Sequence, residues 1–589
     1  MSTKFKLFLP ALSVVLLPAV TLADDATKID TGDTAFMLVC SALVLLMTPG
    51  LAFFYGGLVR GKNVINTMMM SFIALGIIAV QWVLCGYSIA FSPGSSVVGG
   101  LSWLGLNGVG LEPNADYGAT IPHQAFMIFQ AMFAIITPAL ISGSIVERMK
   151  FKAYIVFILL WGTFAYDVVA HWVWGVGGWL RMLGALDFAG GTVVHINAGV
   201  SALVAALMLG ARRGFPHKPM PPHNLPLSIL GAGLLWFGWF GFNAGSAIAS
   251  GALATVAFVA TNTATAAGVV AWALLDFFIK GKPTGVGIIT GAVTGLVAIT
   301  PACGFVTPVG AIIIGVGAAS ACYGALNLRV KLNFDDSLDT FSVHGVGGIF
   351  GAVMTGILAT KSVNPTGNDG LLYGNPSQLW VQLAGVGATI VIAVVVTFVV
   401  LKFLDLVMGI RAQPVHEEEG LDLVEHGERG YHMAEEFGEA ASFASQLKHG
   451  YEAVPILKKD EKPLEATSRS AVPRTTFTQR RPPVQYTALT SRREPPKISA
   501  KGIIGSDDKP FKIVIGKIDE KWLLNWWREL CKQDWRTVPQ AFKDFYNDVV
   551  LFEGRAIVFK KGDPENFKEK IAELLLMSGV WEFEIRVEK

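Results

Sequence analysis

Residues 34–63 read TAFMLVCSALVLLMTPGLAFFYGGLVRGKN. From Ala35 to Val59 the stretch carries no charged residue, and then Arg60 and Lys62 follow at once. An apolar run needs about 20 residues to cross a bilayer as a helix, so this one is long enough. Positive charge at its end marks the cytoplasmic side. The same pattern recurs along the chain. Apolar runs near 35–59, 65–92, 122–146, 151–171, 190–211, 226–247, 251–279, 284–302, 304–327, 341–361 and 377–409 predict eleven transmembrane helices. The expected fold class is an all-α polytopic membrane protein with a small C-terminal cytoplasmic α/β domain.

Charge orients the spans. Lys and Arg follow the first, third, fifth, seventh and ninth runs, as Arg60 and Lys62, then Arg148, Lys150 and Lys152, then Arg212, Arg213 and Lys218, then Lys280 and Lys282, then Arg329 and Lys331. The intervening loop 93–121 has none, and 172–189 has only Arg181. Odd spans therefore end inside, with the mature N-terminus outside and the C-terminus in the cytoplasm. Residues 1–23 read as a secretory signal peptide, with Lys4 and Lys6 before a short apolar run and Ala23 at the cleavage point. A retained first helix is the competing reading, weakened by Pro10 and Pro18 and by the run's length.

Composition agrees with a lipid environment. The chain is 52% hydrophobic and only 16% charged, where soluble domains are about one quarter charged. A net charge of +2 gives no reason to expect a nucleic acid. The five cysteines are scattered, and neither a disulfide, a metal site nor a cofactor is expected.

Two segments echo one another. VHINAGVSALVAAL at 194–207 resembles VHGVGGIFGAVMTG at 343–356, and Asp187 and Asp336 each precede the histidine by eight residues. The copies fall on the fifth and tenth spans. An odd number of spans between them reverses direction through the membrane, which predicts five-helix inverted repeats. His195 and His344 are then ionisable groups at membrane depth, functional candidates by default. Imidazole offers one donor and one acceptor while neutral. A lone histidine would read first as a helix tie, and two on matched spans reverse that preference. Asp187 and Asp339 sit near span ends, where a carboxylate caps a helix start. Capping is the expected role of both, with cation recruitment a further role open to Asp187. Clusters such as Phe126, Phe129 and Phe133, or Trp236, Trp239, Phe240 and Phe242, offer faces to a cation, although most aromatic side chains in spans serve packing or the interfacial belt.

Ordered along the chain, these residues resemble the Amt/Mep/Rh ammonium transporter family, its bacterial Amt branch above all. The resemblance covers roughly 35–432. It rests on TPGLAFFYGGLVRGKNV, AFMIFQAMFAIITPALISGSIVERMKF, DFAGGTVVHINAG, WFGWFGFNAGSA, TPACGFV, DDSLDTFSVHGVGGIFGA and EEEGLDLVEHGERGY. It implies a homotrimer in the bacterial inner membrane, each protomer with its own pore for ammonium or ammonia, and transport instead of catalysis. By motif position, His195 and His344 would be the twin pore histidines, and Phe133 and Phe242 the stacked phenylalanine gate. Trp174, Phe129 and Ser246 would recruit ammonium, with Asp187 supporting that region from within the fold. Trp239 and Thr300 would be pore-adjacent. Residues 411–432 resemble the cytoplasmic tail that docks P-II signal proteins, so a P-II protein is an expected partner. A tail that only packs beneath the trimer fits the same residues.

Beyond about Met433 the resemblance stops. Residues 433–508 are expected to be a flexible basic linker, as in SRSAVPRTTFTQRRPPVQYT. Residues 509–589 are expected to form the small α/β domain, with strands at FKIVIG, RAIVFKK and VWEFEIRV and helices at DEKWLLNWWRELCK and PENFKEKIAELLLMSG. It carries no phosphate-binding glycine loop and no kinase or cyclase signature, so a docking or regulatory role is expected. An ammonium sensor signalling through this domain is the alternative to a regulated transporter. A gas channel for carbon dioxide fits less well, because the cation-recruiting residues are present.

Overall fold

A computed structural model describes residues 29–431 and, near the C-terminus, four strands with Ile571 and Leu575. The expected signal peptide and linker, Cys531, and the helix expected at DEKWLLNWWRELCK lie outside the described residues.

Among the described residues, ten helices are long and apolar enough to cross a membrane. They are α1 (Thr31–Leu58), α2 (Gly61–Phe91), α3 (His123–Ile145), α4 (Phe151–Leu183), α5 (Gly191–Leu209), α6 (Leu225–Gly245), α7 (Ala252–Lys280), α9 (Pro308–Leu332), α10 (Phe341–Leu358) and α11 (Ser377–Met408). The range expected to hold an eighth span contains the shorter α8 (Gly285–Ile299), of 15 residues. At 1.5 Å per residue it covers about 22 Å, less than the ~30 Å hydrocarbon thickness. Beyond Ile299 the chain turns without helix to Thr307, where α9 is capped. Thr300, Ala302, Cys303 and Val306 in that turn are buried. Irregular backbone at membrane depth is tolerated where protein, not lipid, surrounds it.

Local chemistry sets the helix starts. Asp30 caps α1 through the Asp33 amide at 2.8 Å, and Asn224, Thr284 and Thr307 cap α6, α8 and α9 in the same way. Within the bundle α3 is the central helix, with nearly every side chain buried. α1 packs along α6, α3 against α5, and α8 against α10. Leu406, Phe278 and Trp380, on α11 and α7, are more than 70% exposed. Large apolar side chains on helix exteriors suit lipid or another protein surface.

Four helices depart from α geometry at one turn each. π-helical turns occur at Trp82–Gly86 in α2, Gly162–Tyr166 in α4, Gly191–Ile196 in α5 and Phe341–Gly345 in α10. Each adds a residue to the turn, a feature found mostly at functional sites.

The face carrying the Lys and Arg loops is tied by buried ion pairs. Glu147 bonds Arg60 Nε at 2.9 Å and Arg212 Nη1 at 2.7 Å, and Arg212 Nη2 also meets Asp335 at 2.8 Å. Glu147 has φ 71°, an uncommon conformation for a residue other than glycine. Its carboxylate satisfies the Arg60 amide and Asn63 Nδ2 as well, which holds that conformation. The tail from Gly409 crosses this face. Arg411 pairs with Glu417 at 2.7 Å, in α12 (Pro414–Glu419). In α13 (Leu421–His426), Asp422 accepts from the Asn66 amide at 2.8 Å and His426 Nε2 meets Asn66 Nδ2 at 3.0 Å. Tyr431 reaches His223 at 2.8 Å.

A short hairpin joins β1 (Pro113–Asn114) to β2 (Gly118–Pro122). The C-terminal strands are β3 (Phe511–Gly516), β4 (Val549–Glu553), β5 (Ala556–Phe559) and β6 (Glu584–Glu588). They form a wholly antiparallel sheet in the order β4-β5-β3-β6. β3, β5 and β6 fall within the three stretches read as strands. β4 does not, because VVLFE lacks the polar alternation that marks a half-buried strand.

Candidate functional site

Two histidines at membrane depth meet in the centre of the bundle. The π-helical turn of α5 carries His195 and that of α10 carries His344. Both are buried, and their Nδ1 atoms lie 3.3 Å apart with rings 26° from parallel. The close approach depends on glycine. A Cβ on Gly199, one turn past His195, would overlap the backbone nitrogen and Cα of Gly345. Only a bare Cα lets the two helices cross here.

Each turn starts from a buried aspartate. Asp187 accepts four backbone N–H bonds, from Gly190, Gly191, Thr192 and Val193, between 2.6 and 3.1 Å. On the matching segment Asp336, not Asp339, does this work. Its Oδ2 accepts from the Phe341 amide at 2.8 Å, and its Oδ1 accepts from Ser144 Oγ. Asp339 sits at φ 59° with its carboxylate on Arg329 Nε at 2.6 Å. The capping role expected of Asp339 is therefore corrected: that side chain is turned away from α10 by its left-handed backbone.

Above the histidines the aromatic rings form a continuous column. Trp239 lies 5.3 Å from His195 and nearly parallel to it, and Phe242 lies 6.1 Å away. Phe242 faces Phe133 at 4.2 Å, Phe133 meets Phe129 at 4.9 Å, and Trp174 stands edge-on to Phe133 at 5.9 Å. Trp174 is held by its indole N–H on the Asp187 carbonyl at 2.9 Å, and Arg181 Nη1 donates to the Trp174 carbonyl at 2.6 Å. Trp239 donates to Thr300 Oγ1 at 2.9 Å, which the turn after α8 presents. Ser246 Oγ donates to the Phe242 carbonyl at 2.8 Å. The residues proposed for the pore from sequence thus adjoin one another through these ring contacts and hydrogen bonds. Asp187 is the exception in orientation, since its carboxylate faces backbone amides and not the column.

Beside the histidines runs a narrow apolar cavity lined by Leu51, Phe54, Ile136, Leu140, Leu235 and Val293. The aliphatic residues among them escaped the sequence reading because Leu, Ile and Val at helical spacing look the same whether they face a lumen or a neighbour. Toward the basic face His344 opens on a larger cavity of about 360 Å³, bounded by Arg329, Asp339 and the 215–222 loop.

The histidine pair has a definite chemistry. Two neutral imidazoles facing through Nδ1 share one hydrogen, so one ring donates and the other accepts. The Nε2 of the donor ring is then an acceptor, and that of the acceptor ring a donor. His195 Nε2 is buried without a protein partner, which leaves it to a molecule in the cavity. A small neutral molecule with both N–H groups and a lone pair can pass along both rings.

Residues 35–431 match the Ammonium Transporter Family. The chain belongs to the ammonium transporter family. The ammonium transporter of Bacillus subtilis (strain 168) is 52% identical over 401 residues, 68% of this chain and 98% of that relative. That of Aquifex aeolicus (strain VF5) is 49% identical over 69% of this chain and 95% of its own length. Among solved structures, Saccharomyces cerevisiae Mep2 aligns with a TM-score of 0.62 at 36% identity, covering 66% of this transporter and 88% of Mep2. A structure described as Sensor Amt Protein aligns with a TM-score of 0.62 at 28% identity, over 67% of this chain and 98% of that one. This ammonium transporter is therefore a multi-pass membrane protein whose central domain spans nearly the full length of its relatives.

Proposed function

We propose that this transporter recruits ammonium at its outer face, that ammonium gives up a proton to water on that side near Phe133 and Phe242, and that ammonia passes along His195 and His344 and takes up a proton from water in the cytoplasm. The observation that carries the reading is the 3.3 Å contact between the two Nδ1 atoms, in line beneath the Phe133–Phe242 stack. Trp174, Phe129 and Ser246 supply aromatic faces and a hydroxyl, which stabilise a small cation. Asp187 contributes indirectly, by fixing the turn that carries His195 and the indole of Trp174. Dehydrating ammonium costs about as much as dehydrating potassium, so a narrow apolar passage alone discriminates poorly. Loss of a proton is open to ammonium and closed to potassium.

In this reading eleven segments cross the membrane as two inverted five-helix repeats plus α11, with the N-terminus outside, in the inner membrane of a bacterium. The packing of α1 on α6, the leading helices of the two halves, supports that arrangement. A homotrimer and a P-II partner at the 409–431 tail follow from the family resemblance. Methylammonium uptake and potassium permeation in vesicles test the mechanism. His195→Ala and His344→Ala should each cut flux or admit potassium, and wild-type behaviour of both would sink it.

Ammonium sensing is a second reading, favoured by the likeness to Sensor Amt Protein and by the chain beyond residue 432. Ammonium-pulse currents from the full chain and from a form lacking 433–589 separate the two. Currents in both assign the extension to regulation, and currents in neither favour the sensor.

A further inference from the structure

Away from the histidine column, α2 and α4 meet near their π-helical turns around an acid with no counter-charge. Asp167 is fully buried, as are Gln81 and Tyr166 to within 4%. Asp167 Oδ2 accepts from Gln81 Nε2 at 2.6 Å, and that amide also reaches Thr163 Oγ1 at 3.2 Å. Asp167 Oδ1, Gln81 Oε1 and the Tyr166 hydroxyl have no partner. No ion pair among the described residues includes Asp167. The titratable neighbours are Tyr166 and Cys85, whose sulfur lies 3.9 Å from Gln81 Nε2. Gly86 keeps the site open, since a Cβ there would lie 2.7 Å from Gln81 Oε1 and 3.0 Å from Asp167 Oδ2.

Two orphaned polar atoms on one buried, hydrogen-bonded pair, Asp167 Oδ1 and Gln81 Oε1, call for a partner. An ionised carboxylate at this depth, with no cation beside it, is strongly disfavoured, and such a group neutralises instead. We infer that Gln81 and Asp167 form a proton-binding site within the membrane, off the histidine column, in which Asp167 is held as the neutral carboxylic acid. The acid turns Oδ1 from an orphaned acceptor into a donor. Gln81 Oε1 is the acceptor, reached directly or through one bridging water. The Gln81 amide stays bonded to Oδ2. A bound monovalent cation is the competing occupant, and it would require the carboxylate to remain ionised.

Infrared spectroscopy of the full-length protein in lipid vesicles at pH 7 distinguishes these states without reference to transport. The wild-type minus Asp167→Asn difference should contain a carboxylic-acid C=O band that moves to lower frequency in heavy water. Asn matches the neutral acid in shape and charge, so this variant should assemble normally. If it does not, Gln81→Leu serves, because removing the donor to Oδ2 should raise the frequency of the same band. Loss of carboxylate bands alone in Asp167→Asn, or no acid band that responds to Gln81→Leu, would overturn the inference and point to a bound cation.

Discussion

At the scale of single residues, the two aspartates that begin the histidine turns act through backbone amides. Asp187 answers four amides, and asparagine can answer them with one oxygen while turning an NH2 toward the rest. Hydrogen bonds to a charged group contribute about 1.5–3 kcal/mol each. Asp187→Asn should therefore lower methylammonium uptake at least tenfold and lower the melting temperature. Asp339→Asn should leave uptake within about twofold, because that side chain meets only Arg329 at the rim of the inner cavity. Equal loss in both variants would show that the capping argument is wrong. Sequence spacing already paired Asp187 with Asp336, each eight residues before its histidine. It did not reveal which of Asp336 and Asp339 caps, because both lie within reach and only the positive φ at Asp339 decides. The rings of the column were legible through motif resemblance alone. Periodicity could not separate Phe242 from Phe240, which stacks on Phe258 at 3.9 Å, away from the histidines.

Among the elements, the crossing of α5 and α10 is the most constrained. Gly199→Ala should push the helices apart at Gly345, break the contact between the Nδ1 atoms and abolish uptake, with little folded protein recovered. Gly233→Ala is the matched control on α6, where a Cβ meets nothing within 4 Å. There alanine should be neutral or stabilising by up to about 1 kcal/mol, the difference in helix propensity. Size-exclusion profiles and uptake of the two variants make the comparison. Helix positions were readable from apolar runs, since length and charge are properties of sequence alone. The π-helical turns were not. An extra residue in a turn leaves composition unchanged and shows only when both ends of the helix are anchored, as by Asp187 and by the packing of Gly199. The short α8 was hidden for a related reason, because the buried turn after Ile299 is as apolar as the helix it ends.

Over the whole membrane domain, the ion pairs of the basic face join loops 146–150, 210–224 and 333–340 to the tail. Burial alone would raise the Glu147 and Asp335 carboxyls, but Arg212, with Arg60 beside Glu147, outweighs it and holds both below their ordinary values of 4.5 and 3.8. Their folded-state values are lowered, so the stabilisation is present above about pH 4 and is lost as pH falls through those values. Protection of the 409–431 amides from hydrogen exchange, taken relative to the intrinsic rate at each pH, should accordingly fall in acid and stay flat from pH 5 to 8. Arg212→Ala leaves Glu147 with Arg60 alone and Asp335 with Arg148 alone, the latter at 3.8 Å, and should cost about 3 kcal/mol, read as a lower unfolding midpoint at pH 7. An unchanged midpoint would mean that the face is held by backbone contacts such as Lys150 to Ile410 and Ala412 to Arg148. The sequence showed these arginines as topology signals on separate loops. Their meeting on Glu147 and Asp335 depends on contacts more than 60 residues apart.

The π-helical turns also bear on how such a passage arises and fails. Each amounts to one codon inserted into a regular helix. Deleting one residue from 191–196 would restore α geometry and rotate everything beyond it by about 100°. His195 and Gly199 could not then both keep their partners. A frame-preserving three-base deletion at this point should thus be as damaging as loss of the histidine itself, although no functional side chain need be removed. Genetic screens that count only substitutions would miss it.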